Sequence, residues 1–253
     1  MVALILPLVA FWLCVAAMVL RAEGRVRLGA RTAREWVLDL AGLAMQGWVV
    51  PLGAAWLGRA LWAPLLPAGC LPLGWAGGLL AALVVVDALY YGNHRVLHRL
   101  WPIHKVHHGA PAMDVWVTAR NTLWTTPAIV YLWANSFFLH ALDAPGGFIL
   151  GAAITAALDL WRHAPVDLPP AADALLTRLG LVLPRHHAWH HAREQHHHNF
   201  GANWSWWDRL FGTWRDPGGR PVEIGVPTGL SAWRELMWPF GGAAGSAPSR
   251  EAR

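Results

Sequence analysis

Of the 14 histidines in this 253-residue chain, twelve fall in two short stretches, 94–108 and 186–198. Within them His-x-x-His-His occurs twice, as His104/His107/His108 and as His187/His190/His191. His94 and His98 precede the first unit, and their i, i+4 spacing puts both imidazoles on one face of a helix, where they can grip one ion. In each His-x-x-His-His unit, positions i and i+3 share a face while the adjacent imidazole points elsewhere, so adjacent histidines suit two neighbouring ions. With the lone His163, the candidate ligands are His94, His98, His104, His107, His108, His163, His187, His190 and His191. Nine imidazoles are more than one ion can coordinate, and two ions are implied.

Donor chemistry narrows the metal. Neutral imidazole suits iron, zinc, copper and nickel. A closed structural zinc site usually recruits thiolates and stops at four ligands. The only cysteines, Cys14 and Cys70, lie far from both stretches, which also argues against a disulfide framework or a cysteine nucleophile. A zinc-protease helix needs a glutamate base where this chain has Arg95, between His94 and His98.

Other residues are candidates to support the ligands. Asp87, seven residues before His94, and Asp159, four before His163, can face those rings and accept the spare N–H, fixing the tautomer, or pair instead with neighbouring arginines. His186 adjoins a ligand and is read as a supporting or solvent-exposed ring. Asn199 supports the site or simply belongs to the Asn-Phe-Gly turn. His196, His197 and His198 are read as a solvated loop, since a run of three cannot direct all its rings at one ion. Asp208 is read as a structural cap or ion-pair partner, and Asp39 as an acid facing a polar interior or another helix.

The elements that must position these residues are apolar. With 55% hydrophobic residues, 14% charged, 18 tryptophans and a mean hydropathy of +0.33, the composition is that of a membrane protein. Crossing a hydrocarbon core needs about 20 residues per helix. The candidate spans are Val2–Leu20, Trp36–Leu61, Leu73–Tyr91, Leu123–Leu142 and Gly146–Trp161, the last two as a helical hairpin. The first lacks the basic start and cleavage site of a secretory signal and is read as an anchor. Arg21, Arg25, Arg27, Arg31 and Arg34 follow it and should stay cytoplasmic. Threading alternately from there puts every candidate ligand on the cytoplasmic side.

The expected fold is therefore all-α: an integral-membrane bundle of about four to five membrane helices beneath a cytoplasmic histidine-rich di-metal cap. It forms one domain over residues 1–240, followed by a disordered tail at 241–253. Topology and lipid headgroups account for the net charge of +5, so nucleic acid is not an expected partner. The arginine- and alanine-heavy composition points to a bacterial inner membrane. Trp189, Trp204, Trp206, Trp207 and Trp214 are placed at headgroup level.

These motifs carry a resemblance. The chain resembles the fatty acid hydroxylase/sterol desaturase superfamily of integral-membrane, histidine-rich di-iron enzymes. The likeness rests on Asp87-Ala-Leu-Tyr-Tyr-Gly-Asn-His94-Arg-Val-Leu-His98, His104-Lys-Val-His107-His108-Gly, His163 at a helix end, and Pro184-Arg-His-His187-Ala-Trp-His190-His191. It continues into Asn199-Phe-Gly and Trp207-Asp208-Arg-Leu-Phe-Gly-Thr213, covering roughly residues 80–215.

The resemblance implies two iron ions, replaceable by zinc on purification, with O2 as co-substrate. It also implies a separate electron donor, ferredoxin-like or cytochrome b5-like with its reductase. The implied reaction is hydroxylation or desaturation of an unactivated C–H bond of a membrane lipid, whether sterol-like, fatty-acyl or isoprenoid. Two departures stand out. Asn121-Thr-Leu-Trp124 follows Arg120 where relatives often carry an Arg-x-His-Pro-type segment, and Asp167 stands four residues after His163 where some relatives place another ligand histidine. The latter position is open, water-filled or carboxylate-bound.

A reading from another class is a membrane metal transporter or metal-binding protein with cytoplasmic histidine loops. A transporter should carry ion-pathway residues deep in several spans, and here Asp39 is the only acid well inside one. No dinucleotide fingerprint or cysteine quartet marks a fused electron carrier. Arg178, Arg185, Arg193, Arg209 and Arg215 are candidates to dock an acidic carrier or anionic headgroups.

Overall fold

The computed structural model describes residues 28–240 apart from Gln195, together with the isolated positions 9, 13 and 17. The expected span Val2–Leu20, the arginines before Leu28 and the tail 241–253 lie outside the continuous described region. The described residues are helical, with extended pairing only at isolated bridges such as Leu71 with Leu142 and Leu181 with Trp204.

Among the described residues, two helices are long and apolar enough to cross a membrane: α1, Ala33–Trp62, and α2, Gly74–Arg99. Thr32 and Glu35 start α1 by a reciprocal capping box. The helix runs through Pro51 because the turn before it, Met45–Val49, widens to a π-helix and absorbs the missing N–H. Trp48, Val49, Leu52 and Trp56 on α1, and Leu80, Leu89 and Val96 on α2, are exposed. Only 28% and 33% of the two spanning windows is buried within the protein. Such outward apolar area is what a helix presents to lipid and a water-soluble surface avoids. α2 also runs on to Arg99, past the expected end at Tyr91, so His94 and His98 ride on this same long apolar helix.

The stretch Leu123–Leu142 departs from expectation. It divides into α4, Thr125–Ala128, and α5, Val130–Ala141, at Ile129, whose ψ of 129° is extended. Asn93 of α2 fills the break, donating from Nδ2 to the Ala128 carbonyl (2.9 Å) and accepting from the Val130 N–H (3.1 Å). The 12 residues of α5 rise only about 18 Å, short of a hydrocarbon core. α6, Gly146–His163, follows a short turn, but the two helices are not a tightly packed hairpin: α5 packs on α1, and α6 on α2. Gly147 and Gly151 permit the latter contact, since a Cβ would collide with the Trp75 carbonyl at one and with Ala82 at the other.

Shorter helices complete the described fold: α3, Trp101–His108; α7, Pro170–Leu179; α8, Pro184–His190; α9, Trp206–Leu210; and α10, Ala232–Met237. Pro102 sits in the first turn of α3, so it opens a helix as well as ending the one before. A 3-10 turn, Val115–Ala119, lies against α1, where a Cβ on Gly42 would strike the Ala119 carbonyl. Arg31 belongs to this layer rather than to a headgroup surface, being buried in ion pairs with Asp39 and Asp114. Trp204 and Trp207 likewise tie the 203–207 segment to α2, donating to the Leu83 carbonyl and the Asp87 carboxylate.

Candidate di-metal centre

The nine imidazoles gather into two groups whose ligand atoms lie within 4.8 Å of one another: His94, His98, His104, His108 and His190, and His107, His163, His187 and His191. α2, α3 and α8 supply the first, while α3, α6 and the end of α8 supply the second. Adjacent histidines, His107/His108 and His190/His191, go to different groups. The pairs that stay together are i, i+4, His104 with His108 and His187 with His191, and not the i, i+3 pairs expected from sequence. At 3.6 residues per turn, four residues bring two rings within about 40° of each other and three leave about 60°.

The spacing fits ions at both groups. His94 Nε2 lies 3.1 Å from Nε2 of His104 and of His190, His98 Nε2 3.2 Å from His190 Nε2, His108 Nε2 3.2 Å from His104 Nε2, and His187 Nε2 3.1 Å from His163 Nε2. Nitrogens bound about 2.0–2.1 Å from a common ion stand roughly 3.0–3.4 Å apart. Both ring nitrogens of His191 are buried without a hydrogen-bond partner, a cost that a metal ligand would remove. Burial, reinforced by neighbouring imidazoles, holds His104, His108, His187, His190 and His191 well below the ordinary histidine pKa, and burial does the same for His107. They are neutral at pH 7, the form that binds metal.

Backbone carbonyls, not carboxylates, orient four of the rings. Nδ1 of His94 donates to Phe200 O (2.8 Å), His107 to Arg120 O (3.2 Å), His163 to Asp159 O (2.8 Å) and His190 to His198 O (2.7 Å). Each bond puts the proton on Nδ1 and leaves the Nε2 lone pair facing the group. The carboxylates act one step further out, by holding that backbone. Asp208 accepts from the N–H groups of Phe200 and Gly201 and from Thr213, and burial still raises its pKa to about 6. Asp39, buried within α1, holds the Arg120 guanidinium through two hydrogen bonds of 2.5 and 2.9 Å. Apart from Asp159, four residues before His163, none of these partners is marked by spacing from a histidine, and sequence alone did not link them to the rings.

The expected supporting residues fall elsewhere or act differently. Asp87 does not face His94, because its carboxylate accepts from Asn203 N–H (2.7 Å) and Trp207 Nε1 (2.8 Å), tying α2 to the 203–207 segment. Asp159 serves His163 through its carbonyl, while its carboxylate pairs with Arg162 and accepts from Gln46. Asp167 is in neither group and pairs with Arg220 at the surface. His186 is buried, also outside both groups, and accepts from Leu183 N–H. Asn199 pins the turn that presents the Phe200 and His198 carbonyls: it takes a φ of 56°, bonds His186 O and Arg215 O, and accepts from Arg215 N–H. His196, read as solvated, is buried against Trp101 with ring centroids 4.8 Å apart. Arg185 and Arg193 are engaged in ion pairs with Asp173, Asp216 and Glu223.

A cavity of about 180 Å³ runs from His104, His107 and His163 down between the helices. Val50 and Pro51 of α1, Ala82 and Val86 of α2, and Phe148, Ala152 and Ala156 of α6 line its apolar part. The α6 residues lining it extend from Phe148 to His163, about 22 Å along the helix.

Residues 79–213, just over half of the chain, match the fatty acid hydroxylase family. The chain belongs to that family. It is also 30% identical over 169 residues to the ornithine lipid hydroxylase OlsE of Rhizobium tropici, an alignment covering 62% of this chain and 49% of that protein. The chain thus spans about half the length of this curated relative. No solved structure matches it. The matched region contains every histidine of both groups, and its end at Thr213 coincides with a residue hydrogen-bonded to Asp208.

Proposed function

We propose that this family member is a membrane-bound di-iron oxidoreductase that uses O2 to hydroxylate an unactivated C–H bond of a membrane lipid. The observation that carries this reading is the cavity, which places histidines of both groups at the end of an apolar slot between lipid-facing helices. The five-histidine and four-histidine groups would each hold one iron. When bound, the irons supply the activation of O2 and the oxidising power toward the C–H bond.

The protein's part is positioning. Carbonyls of Phe200, Arg120, Asp159 and His198 aim four Nε2 lone pairs inward, and burial keeps His107 and His190 neutral. The slot orients a lipid chain and excludes water from its apolar end. Electrons come from a separate donor, and the enzyme sits in a bacterial inner membrane with its histidines toward the cytoplasm. Hydroxylation is preferred to desaturation because the matched family and relative are both hydroxylases.

The test is metal analysis of detergent-purified protein, followed by mass spectrometry of membrane lipids from cells with and without the chain. Two irons per chain and a lipid gaining 16 Da, a single oxygen atom, are expected. A chain that takes up no iron after anaerobic reconstitution, or a lipid losing two hydrogens instead, overturns the proposal.

A further inference from the structure

The slot is not uniformly apolar, and two of its hydroxyls are unsatisfied. Tyr131, in the first turn of α5, and Thr118, in the 3-10 turn, both line it, and each hydroxyl is buried without a hydrogen-bond partner. Leaving a buried hydroxyl unpaired is costly, and two in one cavity call for something that enters it. Each is linked to a histidine through an intervening residue. The Tyr131 ring stacks on Tyr90 at 4.9 Å, and Tyr90 lies 5.2 Å from the His94 ring. Thr118 is two residues from Arg120, whose carbonyl holds His107. Asn135, one turn along α5 from Tyr131, and Gln46, which donates to Asp159, also line the slot. A plain hydrocarbon would leave the Tyr131 and Thr118 hydroxyls unanswered.

We propose that the slot selects a lipid chain bearing a hydrogen-bonding group, a hydroxyl or an amide, close to the carbon that is oxidised, with Tyr131 and Thr118 as its partners. This deepens the lipid-oxidation reading and rests on it. A hydroxyl or amide both donates and accepts, matching two hydroxyls that can do either. An unfunctionalised acyl or terpenoid segment would satisfy neither and would be discriminated against, because a site built for a polar group penalises an analogue lacking it.

The test compares saturable binding of tritiated hexadecanamide and hexadecane to the full, iron-loaded chain, in wild type, Tyr131→Phe and Thr118→Val. Iron content and melting temperature are measured alongside. Wild type is expected to bind the amide about fivefold more tightly or better, as one net hydrogen bond allows. Tyr131→Phe should erase most of that preference while leaving hexadecane binding and iron content unchanged. If Tyr131→Phe does not fold, Thr118→Val carries the same comparison. A preference untouched in the folded variants, or no preference in wild type, means that the hydroxyls serve ordered water only and overturns the inference alone. No saturable binding of either probe overturns the lipid-oxidation reading with it.

Discussion

The two histidine groups share α3 and α8 yet differ in what completes them. The first takes His94 and His98 from α2 and reaches five donors, while the second takes only His163 from α6 and stops at four. Two of the three histidines that line the slot, His107 and His163, belong to the smaller group. An ion with fewer protein donors keeps a position free for a small molecule, as catalytic sites do and closed structural sites do not. Under the proposed function the difference would divide the roles: the five-histidine group would anchor its ion, and the four-histidine group, which lines the slot, would face substrate and oxygen.

Removing one donor from each group is the strongest way to break that comparison. His107→Ala leaves three donors and should cost about one iron per chain together with nearly all activity. His98→Ala leaves four and should keep its iron with affinity lowered about 10- to 100-fold, the range seen when a metal site loses part of its support. Iron per chain measured by mass spectrometry after matched dialysis decides this, and equal losses would remove the asymmetry. Next in size is Asp39→Asn. The buried Asp39 carboxylate is paired with Arg120 and Arg31, and breaking such a network costs about 3–5 kcal/mol. Because Arg120 O holds His107, the variant should lose iron selectively from the four-histidine group as well as melting earlier. Loss from both groups alike would make Asp39 merely a stability residue.

Acid offers a third test. Histidines buried in neutral form have folded pKa values below the unfolded 6.5, so the unfolded chain binds more protons as pH falls. The stability they allow is complete above about pH 6.5 and is lost progressively below it. His186 and His196, each lowered by burial to about 4, extend the loss down to that value. Chelator-stripped protein should therefore unfold at steadily lower urea concentration from pH 6.5 toward 4, and iron should postpone the decline. A flat profile over that range would mean that the rings are solvated once the metal is gone.

The gathering of the candidate ligands was legible in the sequence because helical periodicity ties a ring's direction to its residue number. His94 and His98 share a group as their spacing requires, and adjacent histidines separate. What spacing could not give was the choice between i+3 and i+4 on α3 and α8, since both lie on one broad face. The orienting groups were illegible for a different reason. A backbone carbonyl has no residue type, so Phe200 O and Arg120 O carry no signal, and the acids behind them act across the fold, Asp39 reaching Arg120 over 81 positions. Hydropathy likewise found α1 and α2 but read through the break at Ile129, which depends on Asn93 from another helix.

The smallest expected effect tests whether the four-donor group is open by design of the fold or by the accident of one side chain. A histidine at Asp167 would supply a fifth donor if the backbone there pointed inward. The Asp167 side chain is instead 76% exposed and joined to Arg220, and the 164–169 segment after α6 has no regular structure. Asp167→His should therefore leave iron content and activity unchanged and shift stability by less than about 0.5 kcal/mol, as an exposed surface substitution does. A gain in iron affinity confined to the four-histidine group would show that this segment can swing its side chain onto the ion. The free position would then belong to Asp167 alone, and the division into an anchoring and an open ion would have to be drawn from the slot rather than from the donor count.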